Sequence, residues 1–245
     1  MTYCIGLRLN KGLVFMSDTR TNAGVDDIAQ VRKMKSWEKP GERVITLLSA
    51  GNLATTQAVV SLLDERTKAP VDRSPSILEA PSMFQIATIV GETLREVVKT
   101  YAHKGQEAES PFGATLILGG QVKGSEPRLF LIYPEGNFIE ASDDSPYFQS
   151  GETKYGRPIL VRAYNPDMSF EDAIKLMMVS FDSTIRANLA VDLPLDVQAY
   201  ETDSYAIKAQ LRVERDDPYF HSISVGWGDA LRNAFQSLPD FTFDR

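Results

Sequence analysis

Hydrolysis of an amide needs a nucleophile, a base to take its proton and a donor for the oxyanion, and this sequence is short of the usual suppliers. It holds two histidines, His103 and His221, far apart and outside any His-x-x-x-His spacing, and one cysteine, Cys4. A histidine triad, a histidine metal site, an intramolecular disulfide and a multi-cysteine metal site are therefore not expected. No Gly-rich phosphate loop or Gly-x-Ser-x-Gly elbow is present. A carboxylate-rich metal site stays open, although no EF-hand spacing occurs. Thr2 offers a different route. Once Met1 is removed, its α-amine, with an ordinary pKa of roughly 7.7–8.0, stands beside its own hydroxyl and can act as the base near neutral pH. Many chains begin Met-Thr, so the pair alone carries little weight; the residues that follow decide its meaning.

The elements that must hold such a threonine are legible in the hydrophobic pattern. From Thr2 to Leu9, Tyr3, Ile5, Leu7 and Leu9 alternate with Cys4, Gly6 and Arg8, the period of a half-buried strand. Asn10-Lys11-Gly12 is turn chemistry, and Leu13 to Met16 returns as a strand ending at Ser17-Asp18. A strand from Arg43 to Ser49 breaks at Ala50-Gly51-Asn52 into a helical pattern through Leu63. Ser82 and Gln85 form a capping box for a second helix, whose stripe runs Ile86, Ile89, Val90, Leu94, Val97 and Tyr101. Strands are expected at Ala114–Leu118, Arg128–Tyr133 and Asn137–Ala141, then helices from about Lys154 to Ala163 and from Ser169 onward. Late strands are expected near Leu195–Glu201 and Ser204–Val213. Consecutive strands favour hairpin-rich antiparallel sheets over a doubly wound parallel sheet, with each one-sided helix covering a sheet face.

Composition bounds the rest. The 245 residues are 43% hydrophobic and 24% charged, with a net charge of −7 and no basic stripe. Nucleic acid and anionic membrane are poor partners for such a surface, and no apolar run approaches a membrane span. The start lacks the pattern of a signal peptide, and with a single cysteine a cytoplasmic setting is the expectation. No linker or internal repeat appears, so residues 1–245 read as one domain. Lys68 to Pro81 is a loop, and 216–245 is a C-terminal tail extension.

The first 60 residues resemble the proteasome β-subunit family of N-terminal-nucleophile hydrolases. The resemblance rests on Thr2, the turn at Gly12, Asp18-Thr19-Arg20 followed by Thr21-Asn22-Ala23-Gly24, Lys33 in Val31-Arg32-Lys33-Met34, and Ala50-Gly51 between strand and helix. It continues in Ser150-Gly151 and in Asn165 to Ala173, and it covers about residues 2–213. The short start and the Ser-Asp-Thr-Arg-Thr-Asn-Ala-Gly run look most like the family's bacterial ancestral-type branch, Anbu.

That resemblance implies a four-layer αββα sandwich of two antiparallel sheets between helical layers. It implies a threonine-type peptidase or amidohydrolase with Thr2 as nucleophile, Lys33 and Asp18 beside it, Ser150 as a nearby hydroxyl and Gly51 as oxyanion donor. Substrate backbone would pair with Thr21–Asn22 and with Gly51–Leu53; Thr21, Ser49 and Leu53 would line a small to medium, uncharged primary pocket. Read without gaps from Met168, the family's site aspartate falls on Asn188 and its nearby serine on Val191. Both are departures, and they leave room for the rival reading of a structural or binding subunit with little or no turnover. The family implies no metal or cofactor, a peptide or unfolded-protein substrate, and self-assembly into a ring or open spiral.

Overall fold

The computed structural model describes residues 2–22, 28–69, 71–102 and 111–243. The elements run β1 (Tyr3–Leu9), β2 (Gly12–Asp18), β3 (Arg20–Asn22), β4 (Ile28–Gln30), β5 (Met34–Lys39), β6 (Arg43–Gly51), α1 (Leu53–Lys68) and α2 (Met83–Tyr101). They continue β7 (Ala114–Val122), β8 (Arg128–Ile132), β9 (Phe138–Glu140), β10 (Tyr147–Gly151), α3 (Thr153–Ala163) and α4 (Phe170–Ala187). Last come β11 (Leu195–Glu201), β12 (Ile207–Val213) and α5 (Pro218–Gln236).

Two five-stranded sheets, ordered β10-β1-β2-β11-β12 and β5-β6-β7-β8-β9, are antiparallel throughout, and β3 and β4 form a small hairpin. Three apolar cores separate four layers. Ile45, Leu47 and Phe130 of one sheet pack with Leu63, Ile86 and Leu94 of α1 and α2. Tyr3, Ile5 and Met16 of the other sheet pack with Leu160, Met177 and Phe181 of α3 and α4. Leu13, Phe15, Leu48, Ile117 and Leu129 fill the space between the sheets. The fold is the αββα sandwich.

The strand β1 differs from its expected half-buried state, because it is covered on both faces. Tyr3, Ile5 and Leu7 meet the helices, while Cys4 joins the core between the sheets. Gly6 lets the second sheet approach, since a Cβ there would lie 2.9 Å from Ile117. Caps act as the sequence suggests: Ser82 Oγ accepts the Gln85 N–H at 3.3 Å, and Ser169 Oγ accepts that of Asp172 at 2.9 Å. The stretch read as a tail carries α5, capped by Asp217, whose carboxylate accepts the Phe220 N–H at 2.8 Å.

Candidate active site

The start of β1 is fastened from several sides. The Thr2 carbonyl accepts the Glu152 N–H at 2.8 Å. Gly151 adopts φ +84° opposite it, and any side chain there would collide with that carbonyl. The Tyr3 N–H donates to Asp18 Oδ1 at 2.9 Å, and the Tyr3 hydroxyl meets Ser180 Oγ at 2.8 Å. Its ring packs on Phe181 with centroids 4.6 Å apart. Thr2 itself is 8% exposed and lines a cleft.

Beside it lies a buried ion pair. Lys33 Nζ donates to Asp18 Oδ1 at 2.8 Å and to the Arg20 carbonyl at 2.5 Å. Burial pushes the Asp18 carboxyl above its ordinary range, and the Lys33 ammonium and the Tyr3 N–H pull it back. Two backbone bonds hold the loop that carries Lys33. The Val31 N–H donates to the Thr19 carbonyl at 2.8 Å, and the Ser49 N–H donates to the Lys33 carbonyl at 3.0 Å.

The strand β6 ends at Gly51 with φ +115°, where a Cβ would lie 2.6 Å from the Gly113 carbonyl oxygen. Asn52 then caps α1, its Oδ1 accepting the Thr55 N–H at 3.1 Å. The resulting cleft, about 920 Å³, brings Thr2, Thr21, Lys33, Ser49, Gly51 and Leu53 onto one lining. Asn22 follows Thr21 at the end of β3. The cleft also includes Lys35 and Glu38, so its lining as a whole is not uncharged. Lys35 Nζ is paired with Asp64 at 3.0 Å, and Glu38 accepts the Ile207 N–H at 3.1 Å.

Ser150 is buried on β10, opposite Cys4 in register and one residue from the partner of Tyr3. Asn188 is the C-cap of α4. Its N–H donates to the Thr184 carbonyl at 2.9 Å and its Oδ1 accepts the Ala190 N–H at 2.9 Å, so it finishes α4. Like Asp18 and Ser150 it is not on the cleft lining, and Val191 is packed into the core under the helices. His221 is exposed on α5, and His103 lies outside the described residues.

One acidic residue near the site was missed in the sequence. Asp192 Oδ2 accepts from Arg20 Nη1 at 2.9 Å and from Arg215 Nη2 at 2.7 Å. Because the Arg20 carbonyl receives Lys33 Nζ, Asp192 steadies the backbone that steadies the lysine. A signal existed. Asp192 closes the connection into β11, and Leu195 of β11 pairs with Asp18, so an acid just ahead of that strand must fall near the site.

A four-layer sandwich with a threonine at the head of its first strand, beside a buried aspartate–lysine pair, is the architecture of proteasome-type subunits. The sequence profile of the proteasome subunit family matches residues 82–191. The proteasome subunit beta of Haloquadratum walsbyi is 26% identical over 208 residues, which span 84% of this chain and 76% of that one. The structure of Anbu, the ancestral β-subunit, from Yersinia bercovieri is 48% identical with a TM-score of 0.93 and full coverage of both chains. Anbu from Pseudomonas aeruginosa, solved as a helical assembly, is 41% identical with a TM-score of 0.91 over 99% of each chain. This chain belongs to the proteasome subunit family, in the ancestral β-subunit branch, Anbu. No described helix is long and apolar enough to cross a membrane.

Proposed function

We propose that this protein is a threonine-type peptidase or amidohydrolase in which Thr2, freed by removal of Met1, is the nucleophile. The observation that carries the reading is the Asp18–Lys33 pair, bonded at 2.8 Å, whose lysine shares a cleft with Thr2. The α-amine takes the hydroxyl proton as Oγ1 bonds to the substrate carbonyl carbon. Lys33 stabilises the alkoxide as it develops, and Asp18 holds Lys33. The Gly51 N–H receives the oxyanion. Collapse breaks the C–N bond, and the proton held on the α-amine passes to the leaving amine. Water, with the α-amine again as base, then hydrolyses the ester and restores Thr2. Ser150 is the hydroxyl nearest this chemistry along β10, and Asp192 acts through Arg20. Peptide would add as a strand along Thr21–Asn22 and Gly51–Leu53, its side chain entering a pocket at Thr21, Ser49 and Leu53. The working form is a homo-oligomer of single-domain subunits, a ring or open spiral, acting in the cytoplasm on peptides or unfolded chains.

A second reading, a structural or binding subunit with little turnover, has one observation in its favour. The positions that align with the family's site aspartate and serine hold Asn188, whose amide oxygen accepts the Ala190 N–H, and Val191, which lies in the core, so neither offers a carboxylate or a hydroxyl. Met1 decides between the two. With Met1 attached, the Thr2 nitrogen is an amide whose lone pair is delocalised into the peptide plane, so it cannot act as a base. Matched samples, one beginning at Met1 and one at Thr2, are treated with a peptide epoxyketone and weighed intact. Adduct and peptide turnover are expected only in the sample beginning at Thr2. Equal turnover by the Met1-bearing sample would discard the α-amine as base, and no adduct in either would favour the non-enzymatic reading.

A further inference from the structure

The cleft beside Thr2 runs deeper than the residues at its mouth. One face of α1 lines it, at Leu53, Thr56, Gln57, Val60 and Ser61, the spacing of a single helical stripe. From Leu53 to Ser61 that wall is about 12 Å long at roughly 1.5 Å per residue. The facing wall is the pair of strands β5 and β6. Lys35 stands opposite Leu47 in register, and Leu47 packs with Val59 and Leu63 of α1. Residues on one face of a sheet recur every second position, so Lys35, Leu47 and Ser49 all face α1. Lys35 and Ser49 are then diagonal neighbours roughly 7–8 Å apart, with the lysine the deeper of the two.

What this lining offers a ligand is donors. Its one carboxylate among the described residues, Glu38, accepts the Ile207 N–H at 3.1 Å. Asp64, further along α1, has both oxygens engaged: Oδ1 accepts from Trp37 Nε1 at 2.6 Å and Oδ2 from Lys35 Nζ at 3.0 Å. Lys33 is held by Asp18. Lys35 differs from these. An ammonium carries three donors, and this one gives a single N–H to Asp64 while its side chain stays 40% exposed. Arg32, on the same lining, is exposed and has no ion pair among the described residues.

We propose that this pocket selects a peptide with glutamate on the acyl side of the scissile bond, the glutamate carboxylate accepting from the Lys35 ammonium. The inference deepens the threonine-peptidase reading above, rests on it, and names the side chain that the cleft takes. Length favours glutamate over aspartate, because Lys35 lies beyond Ser49 at the mouth. Charge separates the other candidates. An apolar side chain would strip water from Lys35 without offering an acceptor in return. A basic one would meet Lys35 and Arg32, while the carboxylates that could answer it are already bonded. On a chain of net charge −7, cations with donors to spare draw an acidic peptide to the cleft and not to the rest of the surface.

The test uses chains beginning at Thr2 and peptides that differ only in the residue before the scissile bond: glutamate, glutamine, aspartate, leucine or lysine. The glutamate peptide is expected to have the highest kcat/KM, at least about fivefold above glutamine, the scale of one charge-assisted hydrogen bond in a half-exposed site. Lys35→Gln should bring glutamate and glutamine to parity, Lys35→Arg should keep the preference, and Lys68→Gln, outside the lining, should leave it unchanged. Turnover without a glutamate preference, or a preference that Lys35→Gln retains, would overturn this inference and leave the peptidase reading standing. Absence of both turnover and epoxyketone adduct would overturn the peptidase reading, and fluorescence anisotropy of the same peptides, labelled, then decides the pocket. Tighter binding of the glutamate peptide, lost in Lys35→Gln and kept in Lys35→Arg, would support the selection proposed; equal binding of all five would overturn it.

Discussion

Replacing Lys33 with alanine separates the structural work of the buried pair from its chemical work. The two groups are 2.8 Å apart, with side chains 5% and 0% exposed. At an effective dielectric of about 20, opposite unit charges at that distance attract by roughly 6 kcal/mol, and desolvation of both groups offsets most of it. Removing lysine alone takes away the attraction and leaves the desolvated carboxylate of Asp18 with only the Tyr3 and Arg20 backbone N–H groups, a loss of about 3–5 kcal/mol. Removing both charges leaves no stranded ion, so Asp18→Asn/Lys33→Ala should recover most of that loss. Turnover should behave differently. Both variants lack the cation proposed to stabilise the Thr2 alkoxide, so kcat should fall at least about a hundredfold in each, the scale of one lost electrostatic stabiliser. The assay pairs urea unfolding with hydrolysis of a saturating peptide by chains beginning at Thr2. A double variant that regains activity along with stability would refute the reasoning, because Lys33 would then act only through folding. A single variant with wild-type stability would refute the premise of a dry ion pair.

Asp192 and Asn188 make a contrasting pair. Asp192→Asn should lower kcat about tenfold or more with little change in KM, because the Arg20 backbone that receives Lys33 loses its carboxylate anchor. Asn188→Asp should leave the pH profile of turnover in place, since either side chain can accept the Ala190 N–H; a shifted profile would show that this position reaches Thr2. Stability at high pH offers a third check. Burial raises the Tyr3 hydroxyl above its ordinary pKa of 10.0, so the folded chain holds that proton longer than the unfolded one. The contribution is complete below pH 10 and is lost at about 1.4 kcal/mol per pH unit as the pH climbs above it. Tyr3→Phe should flatten the fall in urea stability between pH 10 and 11; an equally steep fall would mean that Tyr3 does not titrate on unfolding. Cys4, Tyr164 and Tyr200, raised by burial as well, contribute to the part that remains.

Local pattern and resemblance reached different parts of this molecule. Period-2 alternation located β1, and capping residues located the starts of α2 and α4, because those signals are carried by neighbours in the chain. The strand β5, Met34–Lys39, escaped notice because Met34 and Trp37 are its only buried residues and they do not alternate. The strand β10 is a short edge strand, defined by its register with β1 and not by its own pattern. The helix α5 has an apolar stripe but buries a single side chain, and its segment lay beyond the part of the chain that the resemblance covered.

At the site, the residue types of Thr2, Asp18, Lys33 and Gly51 were readable, and the order in which they occur made them a set. What the sequence by itself determined was therefore the candidate nucleophile, the charges available beside it and the layered class of fold. That Asp192 pairs with Arg20, whose carbonyl receives Lys33, was a tertiary decision. Counting along the chain gives Asn188, whose amide oxygen accepts the Ala190 N–H; Val191 lies in the core, and Asp192 pairs with Arg20. Spacing along a chain predicts contact only while the backbone repeats, as in a helix or a strand. Across the irregular connection from α4 to β11, the packing of two separate elements sets the distance, and only the folded chain holds that information.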